Sequence, residues 1–389
     1  MEKDKTAATY TGSMTGTPKG ILLTNDGLNT MRIALTKRIA YPDIARTIAM
    51  LMVIWGHLVT DGRTCSFVAA FTIPAFFFFS GMMFRREKFP SCSAFLRHRW
   101  QTLLRPYLIY SFITWVWWLV SAWIFHENID NIFSPLLQTF IAQGSWPYLR
   151  HNVPLWFVTC HLVTELLYYP ISALSVKKRA LFLIISAGIG LYMVHPHSFF
   201  DFTKLPWSLD SAFTAVVFYA IGHILSQSIS LHELQDKIKC GNIALLFVSL
   251  FSYAVIFLIA PKNGYVSLGH DSIGDNVFLF YFLALLGTFG TFSLSLLFAR
   301  MPKEKIISCL LRYFGCHSFD IMCIHVPLML LLNRLTAFIF HTDAVTTRAM
   351  YRYEIVTYVL IVICCLLLLP LIDKIKNKTA SFMCKIRDV

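Results

Sequence analysis

The sequence predicts an all-α protein, a polytopic transmembrane helical bundle of about ten spans with both termini cytoplasmic. Three observations carry this prediction. Of 389 residues, 56% are hydrophobic and only 14% are charged, whereas soluble domains carry about 25% charged residues. The apolar residues gather in runs near the length of about 20 that crosses a hydrocarbon core. Lys and Arg cluster on alternate connections, 26 of the 34 on one side, as the positive-inside bias requires. Seven fall on the other side, and Arg46 alone lies within an apolar run.

Residues 1–38 are polar, lack the apolar core of a signal peptide, and read as a disordered cytoplasmic tail. Met31, followed by Arg32, Lys37 and Arg38, reads as an alternative start. One membrane domain is expected over 39–373, with spans near 43–60, 66–84, 104–125, 153–174, 180–195, 210–229, 241–260, 276–299, 313–333 and 353–372. Residues 89–103 are too basic to span and read as an amphipathic segment on the membrane surface. Residues 374–389 form a basic cytoplasmic tail.

The net charge of +13 is topological, with no basic stripe on a soluble fold to suggest nucleic acid. The ten cysteines include no CxxC pair, so neither a metal site nor a disulfide framework is expected. Cys309, Cys316 and Cys323, at heptad spacing, read as packing residues.

Ionisable groups inside a bilayer are functional candidates by default. Arg46 and His57 are eleven positions apart, which returns them to one helix face within roughly 20° and separates them by roughly 16 Å. Asp43 precedes Arg46 by three and Asp61 follows His57 by four, so the four side chains are expected on one flank. The other reading is an interfacial Asp43–Arg46 pair and an interhelical hydrogen bond at His57. His161 and Glu165, one turn apart, suit acid–base work or interhelical bonding. Asp320 and His325 are expected on different faces of the ninth span. His126, His151, His195, His197, His270 and His341 are expected to be solvated in or beside outer loops.

DIARTIAMLMVIWGH (43–57) resembles the first span of the acyltransferase 3 family of integral membrane acyltransferases, with Arg46 and His57 at the matching positions. Further segments follow in the family's order. IPAFFFFSGMMF (73–84) is similar to its second helix, LLRPYLIYS (103–111) to its Pro-Tyr entry into the third, PLWFVTCHLVTELLYY (154–169) to its Leu-Trp-Phe helix, and YFGCHSFDIMCIHVPL (313–328) to its late Gly-x-x-Ser segment. The style of residues 210–225 is closest to the fucose 4-O-acetylase-like branch. The family's Arg-x-x-Arg motif is replaced here by Arg97, Arg99 and Arg105 at a different spacing.

The resemblance implies transfer of an acyl group, usually acetyl, from cytoplasmic acetyl-CoA or another acyl-CoA to a hydroxyl of a cell-envelope glycan or lipid-linked sugar in a bacterial inner membrane. No bound cofactor is implied; the partners are the acyl-CoA, the acceptor and membrane lipid. His57 is the expected base, since an imidazole titrates near neutrality, or else is itself acylated. Arg46 would meet the donor or stabilise developing negative charge, and Asp61 would orient His57. Arg105 and Arg99 are donor-binding candidates, although the loop that bears them also fits simple contact with anionic lipid. Trp156 and Phe157 are acceptor-binding candidates, or members of an interface belt. A small-molecule or glycan transporter or flippase is the alternative, against which stands the lack of an internal repeat.

Overall fold

A computed structural model of the chain describes residues 39–144, 149–194, 205–228, 241–302, 305–350 and 352–387. The tail over 1–38 with Met31, and also His195, His197 and Cys240, lie outside them. The architecture is an all-α bundle. Its helices are α1 (Ala40–Leu58), α2 (Gly62–Met83), α3 (Cys92–Arg99), α4 (Arg105–Ile124), α5 (Ser134–Ile141), α6 (Trp156–Ile171), α7 (Val176–Val194), α8 (Leu209–Ser228), α9 (Asn242–Ile259), α10 (Val277–Ala299), α11 (Ile306–Cys316), α12 (Ser318–Phe340), α13 (Ala344–Ala349) and α14 (Tyr353–Arg387). One two-residue hairpin, β1 (Val266–Ser267) against β2 (Ser272–Ile273), lies in the connection before α10.

Seven helical segments among the described residues are long and apolar enough to cross a membrane. The remaining expected spans are present as α1, α6 and α7, of 19, 16 and 19 residues. At 1.5 Å per residue α6 is about 24 Å long, short of a hydrocarbon core of about 30 Å. Segment 134–144 turns back into the bundle, where Tyr107 donates its hydroxyl to the Thr139 carbonyl at 2.6 Å and Ala142 is fully buried.

Three expected boundaries change. The ninth span does not begin at 313: the chain breaks at His317 (φ −101°, ψ 16°), separating α11 from α12. The basic segment 89–103 does not lie apart on the membrane surface. From Cys92 it is helical and continues through a π turn at Trp100–Leu104 into α4. The cause is Pro106, which has no N–H to offer the Thr102 carbonyl and crowds it. The helix widens instead, and the Arg105 N–H donates to the Trp100 carbonyl five residues back. Lastly, α14 runs on to Arg387, so the basic tail is a helical continuation rather than a separate segment.

The core is built on α2, whose buried run Phe76–Phe79 packs among α1, α8 and α10. α2 and α8 meet backbone to backbone at two glycines. A Cβ on Gly81 would lie 1.8 Å from the Tyr219 carbonyl oxygen, and one on Gly222 would lie 2.0 Å from that of Phe78. Small residues at a crossing let membrane helices approach closely. Gly222→Ala must therefore push the helices apart, with a cost of about 1–3 kcal/mol as for other overpacked cores. The expected outcome is a lower thermal unfolding midpoint in detergent than for Ala substituted at Gly188, where a Cβ meets nothing.

Candidate active site

The site is assembled around α1. At its Asp43 end, Asp43 is 3% exposed and Arg46 Nη1 lies 3.5 Å from Asp43 Oδ1. α11 docks directly on this turn. A Cβ on Gly315 would come within 1.8 Å of the Asp43 carbonyl oxygen, the Cys316 thiol donates to Asp43 Oδ2 at 3.3 Å, and Thr47 donates its hydroxyl to the Leu311 carbonyl. The glycine of the Gly-x-x-Ser segment is thus there for helix contact. Arg46 is one-fifth exposed.

At the other end of α1, His57 is exposed. Its neighbour is His325 of α12, with ring centroids 5.3 Å apart. His325 is 1% exposed, and its Nδ1 lies 3.0 Å from the Ile321 carbonyl. A carbonyl only accepts, so Nδ1 carries the proton and Nε2 holds a lone pair. That Nε2 is buried with no hydrogen-bond partner. The sequence placed His325 and Asp320 on different faces, and they do diverge; the partnership with His57 was not readable from spacing.

A second group joins α3 to α6. Arg99 Nε lies 2.7 Å from Glu165 Oε2, and Tyr219 donates to Glu165 Oε1 at 3.1 Å. His161 Nδ1 is 3.9 Å from Glu165, and its ring stacks on Phe77 at 5.7 Å. Phe157 lies against the same His161 at 5.8 Å, half-buried, whereas Trp156 is buried and wedged over Gly269 and Gly144. Trp156 is therefore a packing residue, and the expectation that it offers a face to a sugar is corrected. Asp61 is corrected too. It lies beyond α1 as the N-cap of α2, accepting from the Thr64 N–H at 2.8 Å, and these bonds lower its pKa. It does not orient His57.

Asp320 belongs to a third group, at the α11–α12 break. It accepts from Tyr110 at 2.7 Å and from Lys376 at 2.6 Å, and lies 3.2 Å from His317 Nδ1. His317 Nε2 is 3.5 Å from Asp373, which also accepts from Tyr313 at 3.2 Å. His317, Asp373 and Lys376 went unremarked in the sequence, although a His three residues before an Asp was a visible signal.

The basic loop 85–105 is largely committed to its own fold. Arg85 donates to the Met82 and Phe84 carbonyls, Arg86 stacks on Tyr169 at 3.9 Å, and Arg99 holds Glu165. Arg105 is exposed at the mouth of α4 and stays open to a ligand.

Asn152 and His151 were missed. Pro327 has no N–H for the Cys323 carbonyl one turn earlier, and Asn152 Nδ2 donates to that carbonyl instead, at 2.7 Å. His151, expected to be solvated, is 1% exposed with neither ring nitrogen hydrogen-bonded. His126, His270 and His341 are exposed as expected.

A polytopic helical bundle that holds the His57–His325 contact and the Arg46–Asp43 and Arg99–Glu165 pairs defines an integral membrane protein. The chain belongs to the acyltransferase 3 family, whose model, described as "Acyltransferase domain", matches residues 39–372. It is a multi-pass membrane acyltransferase, and the transporter alternative is set aside. No curated protein and no solved structure matches it.

Burial lowers the His151 pKa from the ordinary 6.5 to about 4. The docked loop keeps this ring neutral into the acid range, while a released loop takes up a proton below about pH 6.5. Stability from the docked loop is therefore complete above that value and falls as the pH drops toward 4, by about 2 kcal/mol at pH 5. The unfolding midpoint should fall between pH 7.5 and pH 5, and His151→Phe should flatten the fall. An unchanged slope in that variant would assign the acid sensitivity to other groups.

Proposed function

We propose that the protein is an O-acyltransferase, with acetyl as the group moved, that carries it from cytoplasmic acyl-CoA to a hydroxyl of a cell-envelope glycan or lipid-linked sugar in a bacterial inner membrane. The observation that supports this best is His57, exposed on α1 and in ring contact with His325 of α12. The His325 Nε2 lone pair is suited to accept the N–H of His57, which would fix its tautomer and leave the other ring nitrogen as base. In the transfer, His57 takes the acceptor hydroxyl proton as that oxygen attacks the thioester carbonyl. The carbon–sulfur bond breaks, and the leaving thiolate takes a proton from the imidazolium. An acyl group resting on His57 between two such steps uses the same residues.

Arg46 fits a role toward the donor or the developing oxyanion. Among the described residues its guanidinium meets Asp43 through Nη1, at 3.5 Å. Arg105 is a second donor-side candidate, being exposed; Arg99, paired with Glu165, suits a supporting role. Phe157 keeps its candidacy for acceptor contact, beside His161.

The test is acetyl transfer from radiolabelled acetyl-CoA to a glycan acceptor in membranes containing the protein. His57→Ala should lose at least about 100-fold in rate, the scale of a positioned base, with insertion unchanged. Arg46→Ala should lower the rate at saturating donor if it meets the oxyanion, and raise only the donor KM if it docks the donor. Full transfer in His57→Ala would sink the catalytic assignment.

A further inference from the structure

We infer that the groove between the π turn and α6 is a binding site for an anionic phospholipid of the surrounding bilayer, with one hydrocarbon chain in the groove and the phosphate on Arg97. The groove has a volume of about 450 Å³ and is open on one side. Leu96, Trp100 and Leu104 form one wall and Leu162 and Leu166 the other, with Trp207 at one end. Its origin is Pro106: the π turn it causes adds a residue to the helical circuit and sets Trp100 outward, half exposed. α3, the π turn and α4 form one continuous helical segment that contains an apolar stretch long enough to cross the membrane, and the exposed Leu96 and Trp100 beside Arg97 suit the interface at the end of that stretch. The leucines and tryptophans of its walls offer contacts that an empty groove forgoes. A lipid chain supplies those contacts.

The headgroup is chosen by charge. Arg97 lines the groove and is exposed, and its guanidinium makes no ion pair or hydrogen bond among the described residues. It differs in this from Arg99 beside it, which is held by Glu165. A free guanidinium at the rim of an apolar groove matches a phosphate above an acyl chain, and a zwitterionic headgroup offers it less. Because Arg99 and Leu162 belong both to the groove wall and to the surroundings of His161, an occupied groove braces that polar group from the lipid side.

The probe is a phosphatidylglycerol bearing a photoactivatable diazirine in one chain, present in nanodiscs of phosphatidylcholine, with crosslinked peptides mapped by mass spectrometry. Crosslinks are expected to concentrate on residues 96–104 and 162–166. Leu166→Trp, which fills the groove, should reduce them at least fivefold, and the exposed Arg97→Gln should bring phosphatidylglycerol capture down to that of a matching phosphatidylcholine probe. Leu104→Trp repeats the block from the opposite wall, in case Leu166→Trp lowers the yield of folded protein. Crosslinks spread evenly over the lipid-facing surface, or equal capture of the two headgroups by the unaltered protein, would overturn the proposal. So would displacement of the probe by a long-chain acyl-CoA but not by excess phosphatidylglycerol, which would give the groove to a substrate chain.

Discussion

Within a bilayer every charge and every freed backbone carbonyl must find its partner inside the protein, because neither lipid nor water will supply one. This constraint orders the structure around α1. Asp43 is answered by Arg46 and by the thiol of α11, so α11 must come close, and only a glycine at 315 lets it. Pro327 frees a carbonyl on α12, so Asn152 must reach it, and the loop before α6 is pinned against the helix that carries His325. Glu165 is answered by Arg99, which ties α3 to α6 and with it the π turn. Each polar debt is met by a different helix, and the sum of those ties is the bundle.

The same accounting separates what is occupied from what is open. Arg85, Arg86 and Arg99 are engaged by carbonyls, an aromatic ring and a carboxylate. Asp320 and Asp373 are held by tyrosines, His317 and Lys376. Against this background His57 stands out as an exposed histidine in ring contact with a buried one. Its neighbour His325 has a buried nitrogen without a hydrogen bond, the kind of unmet polar atom that stable proteins keep rare.

The helical class and the placement of spans were legible because apolar runs of the right length are a strong local signal, and the ordered motifs around Arg46 and His57 placed the family. The ends of elements were less so. Pro106 was visible in the sequence, yet whether its missing N–H ends a helix or widens it depends on the packing of Trp100 and Leu104. His317 interrupts a continuous apolar pattern, and its break is stabilised by Asp373, 56 residues away. Asp61 looked like a fourth member of the α1 stripe because helical spacing was extended past Leu58; the chain had already turned, and the carboxylate caps α2 instead. The His57–His325 contact and the Asn152–Cys323 bond are long-range pairings with no local trace, so a single sequence could name His325 but not say what it meets.

The geometry of α1 also bears on which donor the proposed reaction can use. Arg46 and His57 stand three turns apart, roughly 16 Å along the helix. No compact acyl donor touches both at once. On the proposed reading, a donor anchored near Arg46 by its negative charge must present its thioester far from that anchor, at the end of a slender arm that threads between helices. An acyl-CoA has that form, with phosphates at one end and the reactive carbon at the other. The separation then has a use beyond reach. On that reading the bulky charged part stays at the Asp43 end, beside Arg46, while the acyl carbon is delivered to His57 at the other end of the helix.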